Sequence, residues 1–429
     1  MKRSGFKIYL LVWLGTFISE IGTGMTSFAL GIYTYQLTGQ ASSSALVTLC
    51  AFLPGLLMTP LAGILADRYD RRLLMALGDG LSGLGVLWIY FSLQVHQPSI
   101  LQICLGAVIS SVFSALVNPA FRATISDLVP EDQFSKATGL TQINSIARYL
   151  ISPSLAGLIL AQGTIGQILL IDFSTVFVTI ICSLTARRHI KTPIKATSHP
   201  FWSEFIRGFQ IIHEKKGIWL LVLLGTAFSF FLGTVEILLA PMILGFASSQ
   251  EVGWTMAISS SGMLLGGLIL GIFPIKRRFH LILSLSLGLL GIFMVGMGSK
   301  ENLAWICFFG FLLFMSLPFA NTAIDYLIRI NIDKNEQGKA WGTIGVISQF
   351  GYVIAYASMG WVADCFFKPL LLPKGALATW LGSIIGIGSG RGYGLLFILS
   401  GFCISITALF LSRQSAIKEL EYVSKINPK

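Results

Sequence analysis

The sequence is poor in charge: Asp, Glu, Lys and Arg make up 11% of its 429 residues, while 54% are hydrophobic and the mean hydropathy is +0.77. A soluble chain of this length usually divides into two or three domains with polar surfaces, and there are too few polar residues here to coat them. Paired cysteines are also lacking. Cys50, Cys104, Cys182, Cys307, Cys365 and Cys403 are scattered, with no CxxC spacing, which leaves no disulfide framework to read. The five histidines are equally dispersed, so neither a metal site nor a cofactor is expected. No cluster of His, Asp or Glu at one membrane face suggests a polytopic enzyme.

What the chain has instead is apolar runs of about 18 residues or more, each long enough to cross a bilayer as a helix. Twelve spans are expected, at about 8–35, 43–66, 73–94, 100–121, 138–161, 166–186, 218–245, 252–275, 281–298, 303–326, 340–362 and 392–411. Met1-Lys2-Arg3 before an apolar run is the opening of a signal peptide, but the run continues past Glu20 to about Tyr35 with no small-x-small cleavage site. It reads as an uncleaved first span.

The formal charge of +11 would suit nucleic acid, but its distribution does not. With the N-terminus inside, basic residues gather in the cytoplasmic segments, leaving only Lys300, Lys368, Lys374 and Arg391 outside and Arg148 within a span. The excess is topological. This expects a multi-pass protein of a bacterial inner membrane with both termini cytoplasmic, in contact with lipid and not with nucleic acid.

The longest polar stretch divides the spans six and six. The expected organisation is an N-terminal six-helix bundle at 1–186, a cytoplasmic linker at 187–217 and a C-terminal six-helix bundle at 218–429. The linker is basic and holds Pro193 and Pro200, while Trp202, Phe205, Ile206, Phe209 and Ile212 recur at helical spacing. That pattern suits an amphipathic helix on the inner leaflet or one packed on the protein's own cytoplasmic face. Leu14-Gly15-Thr16 with Gly22-Thr23 in span one has a weak echo in Leu224-Gly225-Thr226 with Gly233-Thr234 in span seven, as two related halves would give.

The densest charge lies between spans two and three: Gly63, Asp67, Arg68, Asp70, Arg71 and Arg72. The layout and this loop resemble the major facilitator superfamily, whose loop pattern is G-x-x-x-D-R-x-G-R-[RK]; Asp70 replaces the usual glycine. The resemblance implies an all-α membrane protein of two pseudo-symmetric six-helix bundles. It also implies that the loop latches the outward-facing state by bridging the halves at the cytoplasmic face. An aspartate near the start of span eleven would meet the positive end of that helix dipole, and an arginine could pair with Asp127. The alternative is that the arginines only enforce topology.

In span five, Ser152-Pro153-Ser154-Leu155-Ala156-Gly157 resembles the family's G-P-x-x-G antiporter signature, with Pro153 in place, Ser152 at the first glycine and Gly157 one residue past the last. The alternative is an ordinary small-residue interface. Phe28-Ala29-Leu30, Tyr35-Gln36-Leu37-Thr38-Gly39 and Leu128-Val129-Pro130-Glu131-Asp132 are similar to the branch of bacterial enterobactin exporters and macrolide efflux proteins. That branch implies efflux of siderophores, peptides or drug-like molecules, driven by protons.

Glu20 is near the middle of span one, where a carboxylate costs about 3 kcal/mol on insertion scales, so it should face a cavity or a partner. Glu20 is about 18 Å into its span and Arg148 about 15 Å into its own, and both spans run outward. They are the expected ion pair, and Glu20 the expected proton exchanger; the alternative is a fixed structural pair. Glu236, near the outer end of span seven, is a second carboxylate, a gate residue or a solvated helix end. Thr23, Met25, Thr26, Phe230 and Phe231 are expected to line the cavity. Asp172 is read as structural, on a helix facing away from the cavity, and Asp325 has no assigned role. The outer segment 363–391 contains Gly386-Ile387-Gly388-Ser389-Gly390-Arg391-Gly392. No strand precedes it, so a phosphate loop is rejected in favour of a re-entrant or surface-lying segment.

The reading is therefore a secondary exporter of amphiphilic small molecules, working by alternating access as a monomer. Its rivals are a proton-linked importer or lysolipid flippase, and a non-transporting scaffold or sensor.

Overall fold

The computed structural model describes residues 2–95, 98–130, 133–189, 201–333 and 336–426. Glu131, Asp132, Pro193 and Pro200 lie outside them, as does the side chain of Trp202. Among the described residues the regular structure is helical, with no strand.

The chain forms two compact units, Met1–His199 and Pro200–Lys429. The first holds α1 (Lys2–Thr38), α2 (Ala41–Arg68), α3 (Arg71–Ser92), α4 (Ile100–Ser114), α5 (Val117–Leu128), α6 (Phe134–Gln162) and α7 (Ile165–His189). The second holds α8 (Phe201–Glu214), α9 (Lys216–Leu244), α10 (Ser249–Ile272), α11 (Phe279–Ser299), α12 (Leu303–Arg329) and α13 (Gln337–Val362). It continues through α14 (Lys368–Leu370), α15 (Gly382–Ile385), α16 (Ser389–Arg413) and α17 (Ser415–Ile426).

Twelve helices among the described residues are long and apolar enough to span a bilayer, with α4 and α5 together forming one span, Ile100–Ile125. The break between them has a local cause. Pro119 has no N–H to offer the carbonyl of Ala115, and its ring crowds that carbonyl, so α4 ends at Ser114. Leu101, Ile181, Leu268 and Ile406 point outward with 62–76% of their surface exposed, an arrangement that suits lipid and not water.

The two units share one packing plan. In the first, α1 packs on α6 and α7, α3 on α4 and α7, and α2 on α4. In the second, α9 packs on α13 and α16, α11 on α12 and α16, and α10 on α12. The repeat lies in this helix plan and not in the paired glycine motifs. Gly15 and Gly22 abut α7, whereas Gly225 and Gly233 abut α13, the counterpart of α6.

The amphipathic linker helix is α8, and it packs on α13 and α9. Ile211 and Ile212 are buried there, Thr343 donates to the Phe205 carbonyl (3.3 Å), and Gly208 lets the helix come against Lys339 and Thr343. Ile206 and Phe209 stay exposed. Helix α17 docks on α9 and α11. There Glu421 accepts from the backbone N–H of Arg278 (2.7 Å) and from the backbone and ring of His280.

Candidate functional site

Helices α1 and α6 lie side by side and are joined by a ladder of polar contacts. Tyr9 donates to the Ala137 carbonyl (3.0 Å) and the Trp13 indole to the Leu140 carbonyl (2.8 Å). Asn144 donates to Thr16 (3.3 Å), Arg148 to Glu20 (3.2 Å) and Ser152 to the Ile21 carbonyl (3.0 Å). Tyr9–Ala137, Thr16–Asn144 and Glu20–Arg148 share one sequence offset of 128. Parallel helices with equal rise keep such an offset along their length, so the register that seats Tyr9 also delivers Glu20 to Arg148. The helices approach closely at Gly24, where a Cβ would come 2.8 Å from Ser152 Cβ and 3.1 Å from Arg148 Cγ. Ser152, which replaces the first glycine of the antiporter-type pattern, thus packs against a glycine on α1. Pro153 and Gly157 are buried within an unbroken α6. The Arg148 and Glu20 side chains keep 40% and 26% of their surface open, so this pair is reachable by a third group.

The opposite stripe of α1 faces α7. Thr179 donates to the Gly15 carbonyl (3.0 Å), and a Cβ on Gly22 would sit 2.7 Å from Asp172 Oδ1. Asp172 is 4% exposed and its carboxylate turns toward α1. Thr23 and Thr26 face it. Thr26 is buried, and Met25 packs in the apolar core with Ala29, Leu30 and Val86. These two side chains are turned to helix neighbours within the unit and do not stand on an open wall, because the α7-facing stripe of α1 runs through residue 26. Thr23 is half-buried. Sequence reasoning passed over Asp79, which is 5% exposed on α3 with Ser19 and Thr179 facing it; a carboxylate inside an apolar span was the available signal.

At the α2–α3 turn, Arg71 Nη1 contacts Asp127 Oδ1 at 2.6 Å and the Ala123 carbonyl at 2.9 Å, while its Nε donates to the Ala66 carbonyl (3.2 Å). Arg72 is fully buried with Nη2 3.9 Å from Asp127 Oδ2. Asp127 is thus the carboxylate shared by two arginines. Asp70 explains its departure from glycine: it caps α3, accepting from the N–H of Arg72 (3.0 Å) and Leu73 (3.3 Å), and its other oxygen meets Arg187 of α7 at 3.0 Å. Asp67 stays 59% exposed, 3.9 Å from Arg71. Arg68 is also exposed, and nothing lies within 4 Å of a Cβ built on Gly63.

Residues 12–356 match the family model of the Major Facilitator Superfamily. The chain belongs to that superfamily. It is 25% identical over 374 residues to macrolide efflux protein A of Streptococcus pyogenes, covering 85% of this chain and 91% of the relative. It is 26% identical over 395 residues to the enterobactin exporter EntS of Shigella boydii serotype 18, covering 90% and 89%. Among solved structures, the nucleoside transporter NupG superposes with a TM-score of 0.73 at 14% identity over 94% of this chain and 99% of that one. A bacterial homologue of the lysosomal transporter Spinster gives 0.71 at 14% identity over 98% and 99%. This superfamily member is therefore a multi-pass membrane transporter for small molecules.

The second unit has a counterpart to the Glu20–Arg148 pair on the equivalent helices. Tyr356 of α13 donates to Glu236 of α9, and Glu236 itself is exposed. Phe230 and Phe231 stack edge to face (5.4 Å), and Phe231 lines an apolar crevice with Leu224, Phe228, Leu287 and Ile404. Asp325 is exposed on α12.

The glycine-rich segment 363–391 is a packed structure on α16. Leu371, Ile385 and Leu395 form its core with Phe367, Leu377 and Leu381. Arg391, placed outside by the sequence, is fully buried: Nη2 donates to the Gly298 carbonyl (2.8 Å) and Nε lies 3.8 Å from Glu301. The glycines make room for it. A Cβ on Gly386 (φ +94°) would stand 3.4 Å from Arg391 Nε, and one on Gly394 3.5 Å from its Cζ.

Proposed function

We propose that this protein exports amphiphilic small molecules from a bacterial cell across the inner membrane by proton antiport, as a monomer with both termini in the cytoplasm. The observation that carries the reading is the Glu20–Arg148 pair, held by a register of hydrogen bonds yet partly open. A carboxylate at this depth is stable only when paired or protonated. A cationic substrate pairs with ionised Glu20 in competition with Arg148, and a proton arriving on Glu20 removes that charge and releases the substrate. The efflux names of the macrolide and enterobactin relatives support the outward direction.

In this reading the halves are residues 1–186 and 218–429, joined by the linker 187–217, and Thr23, Phe230, Phe231 and Glu236 stand toward the substrate path. The Asp67–Arg72 turn is the latch between states. Its inner part, Arg71 and Arg72 on Asp127, holds the turn rigid, and the exposed Asp67 and Arg68 are the part left to engage and release.

The test is accumulation of labelled erythromycin, and separately of enterobactin, in a host lacking its own pumps. Expression of the protein should lower accumulation, a protonophore should restore it, and Glu20→Gln should abolish the effect. Increased accumulation on expression would reverse the direction. Protonophore-sensitive efflux that persists undiminished in Glu20→Gln would remove Glu20 from coupling.

A further inference from the structure

The spans of the first unit hold three carboxylates away from their ends, Glu20, Asp79 and Asp172, and one guanidinium, Arg148. Arg148 is hydrogen-bonded to Glu20 and also faces Asp172, so three carboxylates share one guanidinium. Asp79 and Asp172 are buried to within 5% of their surface, and neither lies on the α6-facing stripe of α1. They sit in the seam where α1, α3 and α7 meet. Asp172 lies against Gly22 and Thr175, as the contacts of a Cβ on Gly22 show. Asp79 lies one turn before Gly83, whose Cβ would touch Phe173 and Val176 of α7 at 3.3 Å. Along α7, Asp172 and the Thr179 that faces Asp79 are about 10 Å apart.

Two observations separate this seam from ordinary helix packing. Asp79 Oδ2 is buried with no hydrogen-bond partner. An ionised oxygen in that state would carry the full desolvation penalty of a buried charge. The seam also has no spare volume: a Cβ on Gly22 would come 2.7 Å from Asp172 Oδ1 and 2.8 Å from Thr175 Oγ1. A metal ion needs several oxygens at 2 Å or more around it, whereas a proton needs no room.

We propose that Asp79 and Asp172 form a second, closed protonation site in the α1–α3–α7 seam, each carboxyl holding a proton in the resting protein. The charged groups facing the pair are Glu20 from α1, on Asp79, and Arg148 from α6, on Asp172. Helix α4 carries no charged residue. Asp67, Arg68, Asp127 and Lys136 of α2, α5 and α6 lie at helix ends, as do Arg71, Arg72, Arg187 and Arg188 of α3 and α7, and Arg122 lies near the end of the span Ile100–Ile125. Cys182 is the nearby thiol on α7, against Gly15. Because α1 carries Glu20 on one stripe and closes the seam with the other, loss of a seam proton forces an uncompensated charge against the helix that positions Glu20. The seam thereby sets the α1 position in which the Glu20–Arg148 pair forms. Its use in transport rests on the proton-driven reading above; the existence of the site does not.

The experiment is infrared titration of the purified full-length protein in lipid nanodiscs, following the carbonyl stretch of protonated carboxyl groups from acidic to alkaline pH. Wild type should show a buried-carboxyl absorption at neutral pH that persists in Glu20→Gln. It should fall in Asp79→Asn and in Asp172→Asn and be absent from the double variant. Asparagine is close in shape to the neutral acid, so these variants should fold. A cooperative thermal unfolding transition in each asparagine variant separates loss of the group from loss of the fold. The proposal is overturned if the absorption is missing at neutral pH, if it is the same in the double variant, or if sodium chloride removes it saturably at constant pH. The readout needs neither substrate nor transport, so failure of the erythromycin assay leaves it intact.

Discussion

Replacing Asp127 with Asn should unfasten the turn between α2 and α3. The substitution keeps the shape of the side chain and removes its charge. What is lost is a charge-assisted hydrogen bond to Arg71 at 2.6 Å and the counter-charge 3.9 Å from Arg72, which is fully buried. A hydrogen bond to a charged group contributes about 1.5–3 kcal/mol. Breaking a fully buried ion pair costs about 3–5 kcal/mol. Asp127 and Arg71 keep 16% and 24% of their side-chain surface open, and Arg71 retains the carbonyls of Ala66 and Ala123, so about 2–3 kcal/mol is the appropriate figure. For a unit of this size that corresponds to a fall in apparent Tm of roughly 4–12 °C. The assay is thermal unfolding of the detergent-purified protein at a fixed scan rate, because membrane proteins often unfold irreversibly. The decisive comparison is a double-mutant cycle with Arg71→Gln: if the two residues act as a pair, the double variant loses less than the sum. Additive losses, or a Tm within error of wild type in Asp127→Asn, would refute the reasoning.

Three further outcomes are expected. Gly24→Val should push α1 off α6, since a Cβ alone already meets Ser152 Cβ at 2.8 Å. The expected cost is about 1–3 kcal/mol, partly recovered by adding Ser152→Gly and read as the Tm difference between single and double variants. Asp70→Ala should cost about 1 kcal/mol by uncapping α3, with at most about another 1 kcal/mol from the half-exposed Arg187 pair; Arg187→Gln alone should therefore move Tm little. Burial acts to raise the pKa of Glu421, but the donors from His280 and the Arg278 backbone outweigh it and hold the carboxyl below the ordinary glutamate value. A lowered folded-state value means that this contribution is present above the unfolded glutamate value and is lost as pH falls through the folded one. The stability difference between wild type and Glu421→Gln should then be full at neutral pH and vanish on acidification; a gap that widens in acid would contradict the sign.

Much of the architecture was legible along the chain. Long apolar runs in a chain this poor in charge admit only spanning helices, because lipid offers no hydrogen-bond partner to an open backbone. The twelve spans follow from that, and the pairing of Glu20 with Arg148 follows from the cost of either charge alone at that depth. Helix rise is uniform, so depth could be counted from sequence. Pro119 was visible too, but its effect depended on which carbonyl it would oppose, and span four was read as unbroken.

Rotation about each helix axis was not legible. Spans that are apolar all round carry almost no amphipathic signal, so nothing along the chain told which stripe of α1 faces α6 and which faces α7. Packing alone decided that, turning Met25 and Thr26 inward and bringing Asp172 onto Gly22. Close approach of backbones at small residues set the rotation. The same holds for Arg391, which counts as an outer-loop charge in the sequence yet is buried because glycines at 386 and 394 leave the space it fills. The sequence, through hydropathy and charge placement, determined that the chain spans a membrane, how many times, and which acids and bases lie deep. Only the tertiary structure decided which of those acids bonds the one deep arginine and which two are closed into the seam beside it, because that depends on helix rotation and register, which are properties of neighbours.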